Sequence, residues 1–294
     1  MYYATVGLLL TTTENYTILK LHEEFLLNVI NQHEDYYGSP IESPIEIPDV
    51  FFQNEVRLVQ HLLSSTNNRL NKSSSLWVLY RKLYVLSREI FPSVDIMYLN
   101  VCMESAWRHP SNYYCWNTIR WISDLTTENE RLQILSRTKK FCFQNVRDNS
   151  SWYTYMYIVC AEKDSFDFGI HDARRLSNNL GLTGAFAATE GLEEIFDVES
   201  EMNEVREFID SVQAVEWAPF LCLLGLTKKV SKGCTPSFLK KWRLEVSQFE
   251  SQRTSIELKR GYPIVPKAYE EDALLTSSYR SLGYKRRFIS IFDE

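Results

Sequence analysis

Tryptophan recurs along this chain at a nearly constant interval, and that interval limits the fold more than any other feature of the sequence. Trp77, Trp116 and Trp152 are 39 and 36 residues apart, and Trp217 follows after another 65. The last gap equals one such interval plus an insertion of about 29 residues. A period of about 34 to 40 residues is typical of proteins built by stacking copies of one supersecondary unit.

Each of the four tryptophans begins the same apolar pattern. The residues three, six and nine positions further on are Tyr80, Leu83 and Leu86; Ile119, Ile122 and Leu125; Tyr155, Ile158 and Ala161; and Phe220, Leu223 and Leu226. This spacing predicts a helix that buries one face. Polar turns at 71–73, 109–112 and 147–150 precede three of these helices and supply Asn, Asp and Ser as N-caps.

The repeated unit is therefore a pair of helices joined by a turn, which buries its apolar faces only by stacking against further copies. We predict an all-α fold, a right-handed α–α superhelix in which helical hairpins form a crescent solenoid of the tetratricopeptide-like kind. A single domain, 1–294, would hold an N-terminal helix and a Pro-rich loop (1–55), repeats (56–226) and C-terminal helices (227–294).

Segments around the repeats are predicted from their helix and turn signals. Residues 16–31 form an amphipathic helix, and the three prolines within 38–48 indicate a loop. Three of the ten glycines lie within 165–189, the predicted insertion. Two further helices are expected near 237–259 and 270–282. The basic run 285–287 is expected to be solvated, with a contact to phosphate or an acidic partner as the alternative.

Composition excludes several classes of function. A net charge of −6 gives no overall attraction to nucleic acid or anionic lipid. The six cysteines lack a CxxC pair, and the five histidines lack HxxxH or HExxH spacing, so we expect reduced thiols and no metal site in this chain. The longest apolar stretch, 217–226, is too short to span a membrane, and no basic segment precedes the apolar N-terminus. These features predict a cytoplasmic protein.

One repeat resembles a known family. The run Asn112-Tyr113-Tyr114-Cys115-Trp116 resembles the Asn-Tyr-x-x-Trp repeat of protein prenyltransferase α subunits, and Asp148-Asn149-Ser150-Ser151-Trp152 is similar to the repeat that follows in that family. The stretch 104–121 is most similar to the divergent prenyltransferase α-subunit repeat-containing branch. The resemblance covers about residues 56–226.

The resemblance implies the α-type subunit of a heterodimeric protein geranylgeranyltransferase, which is catalytic only with its partner. That partner would be a prenyltransferase β subunit, expected to be the Rab geranylgeranyltransferase β chain. Zinc and geranylgeranyl diphosphate would be held in the β subunit, with none in this chain. The protein substrate would carry a C-terminal cysteine, as in a SNARE that already bears one prenyl group, and neither nucleic acid nor a membrane span is expected.

The resemblance also implies residue roles. Lys72 and Tyr114 match positions that reach toward the diphosphate; the alternatives are an exposed turn lysine and a tyrosine that packs at a helix start. The repeat-motif residues are Trp77, Arg81, Asn112, Tyr113, Trp116, Arg120, Asn149, Trp152 and Trp217. Two features depart from the family, because Ser73-Ser74 replace Asn-Tyr and the arginines Arg81 and Arg120 follow their tryptophans at four positions instead of three.

A second class of function fits the same helical pattern. Helical solenoids serve many unrelated roles, so the chain is alternatively a non-catalytic helical-repeat scaffold or adaptor. Co-purification of a prenyltransferase β subunit in equal amount would support the first function, and its absence would support the second. An independent enzyme is the weakest candidate, because no nucleophile–base pair or phosphate loop stands out in the sequence.

Overall fold

A computed structural model describes residues 2–34, 47–161, 167–182, 196–231, 236–260 and 273–293. Over these residues the protein consists of helices and turns, without strands, which confirms the predicted all-α class. The described helices are α1 (Tyr2–Thr11), α2 (Tyr16–Glu34), α3 (Ile47–Leu63), α4 (Asn68–Asn71), α5 (Ser74–Glu89), α6 (Tyr98–Arg108), α7 (Tyr113–Ser123), α8 (Glu128–Gln144), α9 (Asn149–Cys160), α10 (Asp167–Asn179), α11 (Val198–Val212), α12 (Trp217–Ser231), α13 (Phe238–Arg260) and α14 (Ala273–Ser290).

The chain divides into two compact units. Unit 1 comprises residues 1–134 and 162–193, and unit 2 comprises residues 135–161 and 194–294. In unit 1, α5 packs against α3, α7 and α10, and α6 packs against α7. In unit 2, α12 packs against α9, α11 and α14. The handedness and curvature of a superhelix stay a prediction.

The tryptophan helices begin as the sequence predicts. Ser73, Asn112 and Asp148 are the N-caps of α5, α7 and α9, and each side chain accepts a hydrogen bond from the backbone N–H three residues further on. The tryptophan lies four residues after each cap, where the first full turn faces the core. Capping satisfies an amide that would otherwise lack a partner, and the cap thereby fixes where each helix starts.

The apolar stripe after each tryptophan is buried. Trp77, Trp116 and Trp152 are at most 2% exposed, and all four residues at the third position and all four at the sixth are also at most 2% exposed. The exception lies at the ninth position, where Ala161 is the C-cap of α9 and is partly exposed. Helical periodicity read from the sequence therefore predicts the core of these helices correctly.

The last tryptophan helix differs from the other three. Trp217 is partly exposed at the start of α12, where its ring stacks on Phe220 and Tyr284 with centroids 5.6 and 5.7 Å away. The fully buried tryptophan nearby is Trp242 on α13, which packs on Phe220 and Phe288. The tryptophan of the expected fourth repeat therefore lies at the edge of the core.

Two structural expectations need correction, and the predicted insertion contains a helix of its own. Pro48 lies in the first turn of α3 and not in a loop. Proline is tolerated there because the N–H that it lacks would have no partner within the helix. The insertion contains α10, whose Ile170, Ala173 and Leu176 are buried; residues 165–166 and 183–189 lie outside the described residues. Lys285 is only 7% exposed and pairs with Asp210 and Glu245 at 2.6 and 2.7 Å, so the basic run is not simply solvated.

The five described cysteines are free thiols, as the sequence predicts, and four of them are buried. Burial raises the pKa of Cys142 and Cys222, which keeps both thiols protonated and poorly nucleophilic. Within the described ranges, none of the helices combines the length and apolar character that crossing a bilayer requires.

Candidate functional site

Three inter-helix turns of unit 1 come together around a groove of about 750 Å³, a volume within the range of about 300–1,000 Å³ found for ligand sites. We call it the turn groove. It is lined by Thr12, Thr13, Glu14, Asn15, Asn68, Arg69, Lys72, Ser74 and Tyr114. These residues come from the α1–α2 turn, from α4 and the start of α5, and from the first turn of α7. The groove therefore brings together the two residues singled out from the sequence, Lys72 and Tyr114.

A buried amide network holds two of these turns in a fixed relation. The Asn112 side chain donates to Asn71 Oδ1 at 2.5 Å and to Ser105 Oγ at 3.0 Å, and Ser105 Oγ donates to Asn71 Oδ1 at 3.0 Å. All three side chains are fully buried. Lys72 directly follows Asn71, and Tyr114 lies two residues after Asn112, so this amide network fixes both groove residues through their neighbours.

Trp77 and Leu63 complete the network. The indole N–H of Trp77 donates to the Asn71 carbonyl oxygen at 2.7 Å, and the Asn71 amide donates to the Leu63 carbonyl at 2.6 Å. Buried polar groups are stable only when they are hydrogen-bonded, and here backbone and side chains satisfy one another. The end of α3, the α4–α5 turn and the α6–α7 turn are thus joined beneath the groove.

The third wall, the α1–α2 turn, is tied to the α4–α5 region by side-chain hydrogen bonds. Arg69 Nη2 donates to the Thr11 carbonyl at 3.2 Å, and Thr13 Oγ1 donates to the Arg69 carbonyl at 3.4 Å. Ser74 Oγ and Ser75 Oγ donate to Glu14 Oε2 at 2.7 and 3.3 Å. These bonds hold the α1–α2 turn against α4 and the start of α5.

The groove contains two positive charges and one negative charge. Burial raises the pKa of Glu14, but hydrogen bonds from Ser73, Ser74 and Ser75 outweigh this effect, and the pKa is lowered overall. Glu14 is therefore ionised at neutral pH. Among the described residues, no carboxylate lies within 4.0 Å of the Arg69 guanidinium or the Lys72 ammonium. Lys72 Nζ instead donates to the Pro110 carbonyl oxygen at 3.4 Å.

Most of the other predicted site residues serve packing. Trp77, Trp116 and Trp152 fill the core, and Asn112 is a cap as well as a network donor. Asn149 is the exposed first residue of α9, one position after the cap.

The two motif arginines lie against aromatic rings. Arg81 lies over the Trp121 ring at 5.4 Å, 3.9 Å from Asp172, and Arg120 lies over the Tyr113 ring at 5.8 Å. Burial lowers the pKa of Arg81, and the nearby Asp172 carboxylate offsets only part of that effect. Trp217, at the edge of unit 2, has a similar contact with Arg287 at 4.4 Å.

A second buried constellation lies beneath α1, in the arrangement of a hydroxyl, an imidazole and a carboxylate. Thr5 Oγ1 is 2.9 Å from His22 Nδ1, and His22 Nε2 is 2.9 Å from Glu55 Oε1. The Tyr2 hydroxyl donates to the other Glu55 oxygen, and its ring stacks on His22 at 5.2 Å. Both His22 and Glu55 are 0% exposed.

The hydrogen-bond directions exclude a nucleophile there. Thr5 Oγ1 donates its single proton to the Tyr2 carbonyl oxygen at 2.7 Å, so His22 Nδ1 donates to Thr5 and does not act as its base. With both groups buried, the constellation fastens α1 to α2 and α3.

Arg69, Glu14 and the His22–Glu55 pair are the polar residues that the sequence analysis missed. The two members of the pair are 33 positions apart, and no local pattern links them. The signal that was available is the absence of charge over residues 1–13, which indicates a helix that packs on others. Among the described residues, no group of three or more His, Cys, Asp or Glu side chains is placed to hold a metal ion.

Comparison with known proteins matches three regions of the chain. Models described as the ECM9 N-terminal domain, the ECM9 middle domain and the ECM9 C-terminal domain match residues 1–64, 76–180 and 198–294. The chain is 38% identical to Protein ECM9 of Saccharomyces cerevisiae (strain ATCC 204508 / S288c) over 294 residues, which is 99% of this chain and 75% of that protein. No solved structure matches.

The resemblance to prenyltransferase α-subunit repeats is therefore wrong, and so is the function as an α-type subunit of a protein geranylgeranyltransferase. The physical reason lies in the motif itself. Asn112 caps α7 and Trp116 fills the core, which are tasks that any stacked helical hairpin requires. The predicted diphosphate contacts of Lys72 and Tyr114 depended on the resemblance and lose their basis with it.

Proposed function

This chain belongs to the ECM9 family, and we propose that it is a non-catalytic helical adaptor that binds a partner protein at the turn groove. The observation that carries this proposal is the pair of groove cations, Arg69 and Lys72, that have no carboxylate partner within 4.0 Å among the described residues. Arg69 is exposed and Lys72 is partly exposed, so both charges are accessible, and two such charges in one concave surface favour an anionic or polar ligand.

Aromatic side chains on the same hairpin support a protein partner. Tyr114 is 39% exposed and Tyr113 is 56% exposed, with ring centroids 5.8 Å apart. Trp107, near the end of α6 on the α6–α7 hairpin, is 52% exposed. Arginine, tyrosine and tryptophan are the residues that most often dominate the energy of protein–protein interfaces. Tyrosine and tryptophan do so because they bury a large area at low entropic cost.

The hydroxyl groups of the groove argue against a catalytic nucleophile. Thr12 Oγ1 donates to the Leu8 carbonyl at 2.7 Å and Thr13 Oγ1 to the Arg69 carbonyl, so both protons are engaged. Ser74 donates to Glu14, but the lowered pKa of Glu14 makes it a weak general base. Binding is therefore better supported than reaction chemistry at this site.

Co-purification with charge-changed variants tests the adaptor function. The full chain, carrying an affinity tag, is expressed in its cells of origin and compared with Arg69→Glu/Lys72→Glu and with a control, Lys20→Glu/Arg57→Glu. The control changes the same charge at exposed sites of unit 1 outside the groove. Circular dichroism of each purified variant checks that the fold is retained.

We expect wild type and control to retain the same partner in near-equal molar amount, and the groove variant to retain at least tenfold less. Equal retention by all three proteins would overturn binding at the groove. Absence of any partner in stoichiometric amount on wild type would overturn the adaptor function as a whole.

A further inference from the structure

The chemistry of the turn groove specifies its ligand more narrowly than the adaptor function does. Arg69 and Lys72 are already positioned by backbone carbonyl oxygens, Thr11 for the guanidinium at 3.2 Å and Pro110 for the ammonium at 3.4 Å. A carbonyl oxygen accepts a hydrogen bond from the cation but carries no formal charge, so the positive charge is not neutralised. The cations are therefore held in place before a ligand binds, which lowers the entropic cost of binding an anion between them.

The number of charges favours a carboxylate over a phosphate. Arg69 and Lys72 contribute two positive charges and ionised Glu14 one negative charge, which leaves a net charge of +1 in the groove. One carboxylate neutralises that charge. A phosphorylated side chain carries about −1.5 to −2 at neutral pH, which exceeds that net charge, and Glu14 repels the larger negative charge more strongly.

Uncharged donors in the groove fit a peptide backbone. No hydrogen bond to another described residue involves the Tyr114 hydroxyl or the Asn68 side-chain amide, and both groups line the groove. The Glu14 carboxylate, in turn, has acceptor capacity for a peptide N–H. Together these groups offer both donors and acceptors beside the cations, as an extended segment of chain requires.

We propose that the turn groove binds an acidic residue within an extended segment of the partner protein. The side-chain carboxylate lies between Arg69 and Lys72, and the neighbouring peptide groups lie against Tyr114, Asn68 and Glu14. This proposal rests on the proposed adaptor function and adds the chemistry of the ligand. The contact is electrostatic at an exposed site, so salt weakens it.

Fluorescence anisotropy with synthetic peptides tests this ligand chemistry directly on the full chain. The probes are a fluorescein-labelled eight-residue peptide of alternating glutamate and serine, the same peptide with glutamine for glutamate, and one with phosphoserine in place of each glutamate. Vesicles containing phosphatidylserine form a fourth arm. Each is titrated at low and high salt with wild type, with Arg69→Gln/Lys72→Gln, and with the control Lys20→Gln/Arg57→Gln.

We expect the glutamate peptide to bind wild type and control alike, with at least tenfold weaker binding for the glutamine peptide and for the groove variant. Raising the salt concentration should weaken the glutamate complex several-fold. Tighter binding of the phosphoserine peptide or of vesicles, or equal binding of the glutamate peptide by wild type and groove variant, would overturn the proposal.

A charge-swap variant separates lost recognition from a damaged fold. Lys72→Glu should lose the glutamate peptide and gain affinity for a peptide with lysine at the same positions. If the peptides fail while partner retention still depends on the groove, the acidic ligand is wrong and the adaptor function stands. If retention is also independent of the groove, both are wrong.

Discussion

Replacing Asn112 by alanine tests whether the buried amide network supports the turn groove. The side chain caps the Cys115 N–H at 3.4 Å and donates to Asn71 Oδ1 and Ser105 Oγ at 2.5 and 3.0 Å. Loss of an asparagine cap costs about 1 kcal/mol, and each of the two lost internal bonds costs about another 0.5–1.5 kcal/mol. Ser105 still donates to Asn71, so that acceptor keeps one partner. We therefore expect the free energy of unfolding to fall by about 2–4 kcal/mol.

Urea denaturation followed by circular dichroism measures this loss, with Asn67→Ala as the matched control. Asn67 is an exposed N-cap in the same unit, and its side chain accepts only from the Arg69 N–H, at 3.0 Å. Its removal should cost about 0.5–1 kcal/mol, with an unchanged dependence on urea concentration in both variants. Equal losses for the two variants, or a loss below about 1 kcal/mol for Asn112→Ala, would refute the network argument.

Three further predictions concern stability. Trp116→Ala should lower the free energy of unfolding, measured in urea, by about 3–5 kcal/mol, because the ring is fully buried. Trp217 is partly exposed, so Trp217→Ala should cost less than half as much. Equal losses for the two variants would contradict this prediction. Hydrogen bonding and charge from Lys285 outweigh burial and lower the pKa of Asp210. The stabilisation from ionised Asp210 is complete above about pH 5 and is lost as the pH falls below about 4. The free energies of unfolding of wild type and Asp210→Asn should therefore converge in acid. A difference that stays constant with pH would argue against this ion pair. His22→Ala removes the partner of the buried Glu55 Oε1, which leaves Glu55 with the Tyr2 hydroxyl alone, and should cost about 3–5 kcal/mol by the same measurement. A loss under about 1 kcal/mol would show that the His22–Glu55 pair is dispensable.

Local patterns in the sequence predict much of this fold. The caps at Ser73, Asn112 and Asp148 and the apolar positions that follow each tryptophan depend on neighbours within ten residues, and the tryptophan interval shows where each such helix begins. Such short-range signals are visible in one sequence because helix periodicity and capping act locally. They also explain the wrong family assignment, since a cap followed by a core tryptophan is a packing signal shared by unrelated helical repeats.

Long-range polar contacts could not be predicted from the sequence. The ion pair of Lys285 with Asp210 joins residues 75 positions apart in the chain. Lys72 and Tyr114 were identified for a role that depended on the wrong family, and they lie together because the amide network joins their turns. Arg69 completes the groove only once the α1–α2 turn lies beside it.

Photo-crosslinking from Tyr114 tests most directly whether the turn groove is the partner-binding surface. Benzoylphenylalanine replaces Tyr114 in one protein and the comparably exposed Tyr153, in unit 2, in another. Irradiation in cells should yield a defined adduct from position 114, little from position 153, and at least tenfold less from position 114 when Arg69→Gln/Lys72→Gln is added. No adduct at position 114, or an adduct that persists in the variant without the two cations, would contradict the account.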